Sequence, residues 1–293
     1  MKILRMILLV FFLVTAGIYA GVTVSARMQA DNEPPVIKAD ADEITVSVKA
    51  TDEELLAGMS AFDNVDGDVT SSLVVVSKSD FITKGTLKVN YAAFDSHNNV
   101  TTYTRKVTYE DYRSPRFRAD APFHYVYSSG SGSMFSQVRV DDVLDGDITM
   151  NIRAIYGEVD EGGTERPIVL QVTNSAGDTS AISLTVYRED QSTYSRAKPA
   201  LKEYIIYSKV GKDINFDKYI TGYYKNGKLY EFDDEEVIET AEFTRDNILR
   251  DSSKVDINKA GEYVVKYTLF TTARNNRDSE ELGSVELYVM IEE

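Results

Sequence analysis

Cysteine is absent from the 293-residue chain. Its absence excludes disulfide staples, thiolate zinc sites, iron–sulfur clusters and cysteine nucleophiles. Tryptophan is missing as well, and the histidines are only His97 and His124. A Ser–His–Asp triad therefore has little raw material, and both histidines read as solvated or turn residues. No phosphate-cradling glycine loop, H-E-x-x-H pair or dinucleotide fingerprint occurs. Positive charge is scarce: 32 basic side chains face 47 acidic ones, a net charge of −15. Such a surface repels nucleic-acid phosphate, so nucleic acid is excluded as a partner, while carboxylates remain available for hard cations. Paired carboxylates for glycoside hydrolysis do not stand out from this acidic background, and the chain reads as non-enzymatic. A hydrophobic content of 43% with 27% charged residues fits a globular protein rather than a disordered one.

One long apolar run is present. Lys2 and Arg5 flank an uncharged stretch from Met6 to Val24. At ~1.5 Å per residue its length approaches ~28 Å, about the hydrocarbon thickness of a bilayer. Segment 1–30 is thus expected to be a signal-anchor or transmembrane helix, or else a signal peptide. The basic flank places the amino terminus in the cytoplasm, giving a single-pass protein of the cell membrane with an extracellular carboxyl-terminal part. Val24-Ser25-Ala26 also satisfies the small-residue rule for signal peptidase, so the alternative is secretion after cleavage near Ala26.

The remainder alternates with period two. Ile44–Val48, Leu87–Tyr91, Thr102–Val107, Ile168–Val172, Ile182–Val186 and Tyr263–Tyr267 read as half-buried strands, separated by Asn, Asp, Gly and Ser clusters. Asp66-Gly67-Asp68-Val69-Thr70 recurs as Asp145-Gly146-Asp147-Ile148-Thr149, an offset of 79 residues. Asp95–Asn99 against Asn174–Asp178, and Glu110-Asp111 against Glu189-Asp190, keep the same offset. A fixed offset over several landmarks signals a duplicated structural unit. Lys259–Tyr267 echoes Thr83–Tyr91, which marks a third, divergent unit without Asp-Gly-Asp. Proline-bearing joints set the expected units at 31–112, 113–190 and 197–293. The polar stretch between the second and third is expected to flex. Ser128–Ser133 reads as a flexible loop inside the second unit.

In the first unit, Ala61, Asp63, Asp66, Gly67, Asp68, Thr70, Gly85, Tyr91, Ala93, Asp95 and Arg105 follow one pattern, with Asn98 at a position usually held by glycine. This run resembles the bacterial surface Ig-like domain family, of A-x-D-x-x-D-G-D-x-T type, similar to HYR and cadherin-like modules. The likeness is partial in the second unit and faint in the third. It implies an all-β chain: three tandem Ig-like antiparallel β-sandwich domains after an amino-terminal hydrophobic helix. It implies an exported surface location and no enzymatic activity, and the fold by itself fixes no ligand.

Two readings of the repeated aspartates stand side by side. In one, Asp63, Asp66, Asp68 and Asp95 converge on calcium, which takes six to eight oxygens at ~2.3–2.6 Å. Asp142, Asp145 and Asp147 form the weaker version in the second unit, where Asn174 replaces the fourth acid. In the other reading the motif is a turn, with positive φ at glycine and aspartate oxygens capping backbone N–H groups. A tyrosine cluster offers a separate site: Tyr223 and Tyr224 are candidates to stack on a sugar, against the ordinary role of strand tyrosines in packing. The expected function is a stalk, adhesion or protein-interaction module contacting a cell-envelope protein or glycan. The alternative is a carbohydrate-binding accessory protein for cell-wall or exopolysaccharide assembly.

Overall fold

The computed structural model describes residues 2–28, 31–126, 137–234, 241–272 and 279–293. The Ser128–Ser133 stretch lies outside the described residues. Helix α1 spans Lys2–Met28, and its segment Arg5–Thr23 has a mean hydropathy of 2.3. None of that segment packs against other parts of the chain: Phe11 and Phe12 are each 68% exposed.

The first sandwich contains β1 (Val36–Ala39), β2 (Glu43–Val46), a short helix α2 (Asp52–Leu56), β3 (Met59–Asp63), β4 (Gly67–Asp68), β5 (Val74–Lys78), β6 (Thr86–Phe94) and β7 (Val100–Tyr109). One sheet has the order β1-β3-β4 and the other β2-β7-β6-β5. Alternation places Leu87, Val89, Tyr91 and Ala93 of β6 inward. A capping box starts α2: Thr51 Oγ1 accepts from the Glu54 N–H, and Glu54 Oε2 accepts from the Thr51 N–H. Tyr91 is fully buried and its hydroxyl donates to the Leu55 carbonyl at 3.1 Å. Arg105 of β7 is 2% exposed and donates to the Ala57 carbonyl at 2.9 Å, closing the end of α2.

The second sandwich runs β8 (Arg116–Ala119), β9 (His124–Val126), β10 (Val138–Asp142), β11 (Gly146–Asp147), β12 (Arg153–Tyr156), β13 (Glu165–Thr173) and β14 (Thr179–Glu189). A one-turn helix α3 (Gln191–Tyr194) follows. The third runs β15 (Lys198–Leu201), β16 (Ile205–Lys209), β17 (Ile220–Lys225), β18 (Lys228–Glu231), β19 (Ile248–Asp251), β20 (Gly261–Phe270) and β21 (Glu281–Glu292). Their sheet orders are β11-β10-β8 with β12-β13-β14-β9, and β15-β17-β18 with β16-β21-β20-β19. Strand for strand, both repeat the first sandwich, so the divergent third unit keeps the topology while losing the motif. In every sandwich the second strand pairs in parallel with the last: β2 with β7, β9 with β14 and β16 with β21. All other pairings are antiparallel among the described strands.

Residues Met1–Tyr112 and Arg113–Glu293 form two compact units. Within the latter, the expected flexing joint is not found. Buried side chains of the second and third sandwiches form one cluster, from Phe117 and Leu170 to Tyr204 and Leu287. Tyr204 N–H donates to Ala119 O at 3.0 Å, and Phe117 N–H to the Tyr207 hydroxyl at 2.9 Å. Thr185 N–H donates to the Tyr288 hydroxyl at 2.9 Å, and Arg116 pairs with Glu292.

At the joint itself, Glu189 sits between His124 Nδ1, at 2.8 Å, and Lys198 Nζ, at 2.6 Å. The three side chains are 6–10% exposed. Burial alone would push the Glu189 carboxyl up; the hydrogen bonds from His124 and Lys198 outweigh it and hold the group below its ordinary value. His124, stacked on Tyr187 at 4.7 Å and 9% exposed, is therefore a buried partner of Glu189 and not a solvated residue.

Candidate functional site

The repeated Asp-Gly-Asp motif forms the turn that joins β3 to β4. Gly67 takes φ +75° and its counterpart Gly146 +73°, values that favour glycine. Asp63, the last residue of β3, is 1% exposed. Its Oδ1 accepts from the Val65 N–H at 2.8 Å and the Asp66 N–H at 2.9 Å. Asp66 reaches across to the β6–β7 turn, accepting from the Ser96 N–H at 2.6 Å and the Ser96 hydroxyl at 2.9 Å. Asp95, 8% exposed, accepts from the N–H groups of His97 and Asn99 at 2.8 and 2.7 Å. The Asn99 amide donates to its second oxygen at 2.6 Å and to the Asp31 carbonyl at 3.1 Å. Desolvation pushes the Asp95 carboxyl up, and the Asn99 and His97 donors more than offset it, leaving it below its ordinary value.

One carboxylate atom each from Asp63, Asp66 and Asp95 lies within 4.8 Å of the others. Asp31, Asp95 and His97 form an overlapping group of the same compactness. Asp68 stands apart from both. It is exposed, and Thr70 bonds its carboxylate, from the N–H at 2.9 Å, and holds it below its usual range. The fourth expected ligand is therefore a turn acceptor, because Asp68 has already entered β4 opposite Phe62. Asp31 is the acid that sequence reasoning missed. Its proximity arises from the packing of the segment before β1, which leaves no local spacing to read. His97 is the other omission, and its ring stays exposed.

The second sandwich repeats the frame. Asp142 Oδ1 accepts from the Leu144 and Asp145 N–H groups at 2.8 and 3.0 Å, and Asp145 accepts twice from Ser175 at 2.6 Å. Asp147 binds the Thr149 N–H at 2.9 Å and, like Asp68, is a turn acceptor. Asn174 occupies the position of Asp95, and its Nδ2 donates to Asp142 Oδ2 at 3.2 Å.

Ser96, His97 and Asp66 are neighbours without forming a triad. The Ser96 hydroxyl donates its hydrogen bond to Asp66 Oδ1 and not to the imidazole 3.3 Å away, so no base is set to activate it. Tyr223 is not available to a sugar: it is 1% exposed, stacked on Tyr230 at 5.0 Å and met edge-on by Phe243 at 5.1 Å. Its hydroxyl accepts from the Glu242 N–H at 3.1 Å. Tyr224, next on β17, is half-buried.

No protein-family model and no curated protein matches the chain. Among solved structures, similarity is found to the CBM51-2 domain in complex with GlcNAc and INT domains of Clostridium perfringens ZmpB. That match has 17% identity, covers 48% of this chain and 29% of the other, and has a TM-score of 0.21. The extracellular domain of protocadherin gammaB4 is similar at 9% identity, with 89% of this chain and 50% of that one covered and a TM-score of 0.19. Protocadherin gammaB7 EC3-6 is similar at 10% identity over 89% and 74%, with a TM-score of 0.21. The chain thus spans about three tenths of the Clostridium structure and half of the gammaB4 structure. Its own sheet order establishes the class: an all-β chain of tandem Ig-type sandwiches behind one apolar helix.

Proposed function

We propose that the chain is a non-catalytic, extracytoplasmic adhesion or protein-interaction protein, held at the cell membrane by α1. The observation that carries this reading is the unpartnered helix. Arg5–Thr23 is long and apolar enough to span a bilayer, and none of it is buried by the rest of the chain. Exposed phenylalanine and leucine around the whole circumference are stable in lipid and costly in water. The sandwiches that follow supply stiff β-modules whose loops can meet a partner on the cell envelope, in keeping with the surface Ig-like motif residues of the first unit. The third sandwich, farthest along the chain from the helix and freed of the motif, is the module assigned to contact. Carbohydrate binding through Tyr223 is not favoured, since burial denies a sugar its ring.

Membrane fractionation with external protease tests the tether. The full chain should sediment with membranes through a high-salt wash, and protease added to cells stripped of their wall should digest its sandwiches. Leu9→Arg combined with Val14→Arg should release it, because each arginine near the centre of a span costs about 2.5–3.5 kcal/mol. Recovery of the unaltered chain in the soluble fraction, with a new amino terminus near Ala26, would replace the anchor by secretion. Saturable retention of the labelled chain on isolated cell envelopes is expected for the contact role; no retention would refute it.

A further inference from the structure

We infer that the first sandwich holds one hard-cation site, fitted to Ca²⁺ and built from Asp63, Asp66 and Asp95, and that the second sandwich replaces the ion with the side-chain amide of Asn174. The duplication supplies its own control. In both copies a buried aspartate at the end of the third strand spends Oδ1 on two backbone N–H groups of the following turn. In both, the next acid caps a serine across the gap. What differs is the partner of Oδ2. In the second copy Asp142 Oδ2 receives the Asn174 amide at 3.2 Å. In the first, Asp95 stands in the place of Asn174, and Asp63 Oδ2 is buried without any hydrogen-bond donor. One carboxylate is thus aimed at another where its twin meets an N–H.

A second orphan adjoins it through Asp95. Asp31 Oδ2 is also buried without a partner, and Asp31 belongs with Asp95 to the second compact group. Buried carboxylate oxygens need a donor or a cation, and like charges this close repel unless a proton or a cation comes between them. Ligand oxygens around one Ca²⁺ stand at most about 4.6–5.2 Å apart, twice the ~2.3–2.6 Å bond, and the Asp63, Asp66 and Asp95 atoms lie within 4.8 Å. The donors of Asp63, Asp66 and Asp95 are carboxylates throughout, which suits a hard ion and not a thiophilic one. Oxygens already accepting one N–H keep a lone pair for the metal. Bound there, the ion would fasten the β3–β4 turn to the Asp95–Asn99 turn, alongside the Ser96–Asp66 hydrogen bonds. This inference does not rest on the tether; a secreted chain would bind the ion equally well, so the two readings fail separately.

Calorimetric titration of the full chain with CaCl₂, paired with melting in calcium and in chelator, tests the assignment. One calcium per chain is expected. At 10 mM free calcium and a Kd of ~0.1–1 mM, the folding equilibrium should rise about 10- to 100-fold. Asp95→Asn installs the chemistry of the second copy: it should fold, lose calcium binding, and melt in chelator no lower than the unaltered chain does. Asn174→Asp should lower the melting temperature in chelator, since it recreates the carboxylate pair. Binding that survives in Asp95→Asn, an Asp95→Asn chain that does not fold, a harmless Asn174→Asp, or no response of the unaltered chain to 10 mM calcium each overturns the inference.

Discussion

Replacing Glu189 by Gln keeps the shape of the side chain and removes the negative charge between Lys198 and His124. Lys198 Nζ is 2.6 Å from Glu189 Oε2, with the lysine side chain 6% exposed and the glutamate 10% exposed. At that depth water cannot replace the missing anion, and the new amide turns an N–H toward one of two donors. Breaking one partner out of a buried pair costs about 3–5 kcal/mol. For a compact unit of 150–250 residues, such as Arg113–Glu293, each kcal/mol moves Tm by about 2–4 °C. Glu189→Gln should therefore lower the transition of that unit by about 6–20 °C in scanning calorimetry at neutral pH. The companion double variant, Glu189→Leu with Lys198→Met, removes both charges together and should recover most of the loss, as apolar replacement of a buried pair is often neutral. The same carboxylate sets a pH limit. Its value in the folded chain lies below 4.5, so its stabilising contribution is present above 4.5 and is lost as pH falls through the lowered folded value. A shift under about 2 °C, or a double variant as unstable as the single one, would refute the claim that this pair locks the two sandwiches.

Two further outcomes are expected. Tyr223→Ala should cost about 3–5 kcal/mol, as core aromatic truncations do, and leave any glycan retention by correctly folded chain unchanged; lost retention with unaltered chemical denaturation would reverse that assignment. The Asp190 carboxyl is lowered to about 2 by the Ser192 hydroxyl and the Thr193 N–H at the start of α3. Its support for α3 should persist above 3.8 and fade toward pH 2, and NMR titration should move its midpoint up toward 3.8 in Ser192→Ala.

Alternation and the 79-residue offset were enough to read the sandwich class and the glycine turns, since both are local. Spatial sorting of the acids was not local. Asp66 and Asp68 are two residues apart, yet one remains in the turn and reaches Ser96 while the other joins β4 and caps Thr70. Asp31 reaches Asp95 from the far side of β1, with no motif to announce it. Tyr223 and Tyr224 show the limit from the other direction: neighbours on a strand face opposite ways, and only the packing of Tyr230 and Phe243 decides which one is core. The polar stretch before Lys198 reads as pliable because the contacts that stiffen it, Tyr288 to Thr185 and Tyr204 to Ala119, join residues 103 and 85 positions apart.

The parallel rungs repeated in each sandwich bear on how the chain carries load. Glu43–Val46 lies beside Lys106–Tyr109, His124–Val126 beside Tyr187–Glu189, and Ile205–Lys209 beside Tyr288–Glu292. In a parallel pair the chain comes in at one end of the ladder and goes out at the other. Tension along the polypeptide therefore slides the two strands lengthwise, and every rung resists at the same moment. An antiparallel edge pulled at its open end would unzip rung by rung under a smaller force. Each module thus carries a shear latch between its own beginning and end, which resists tension applied along the polypeptide.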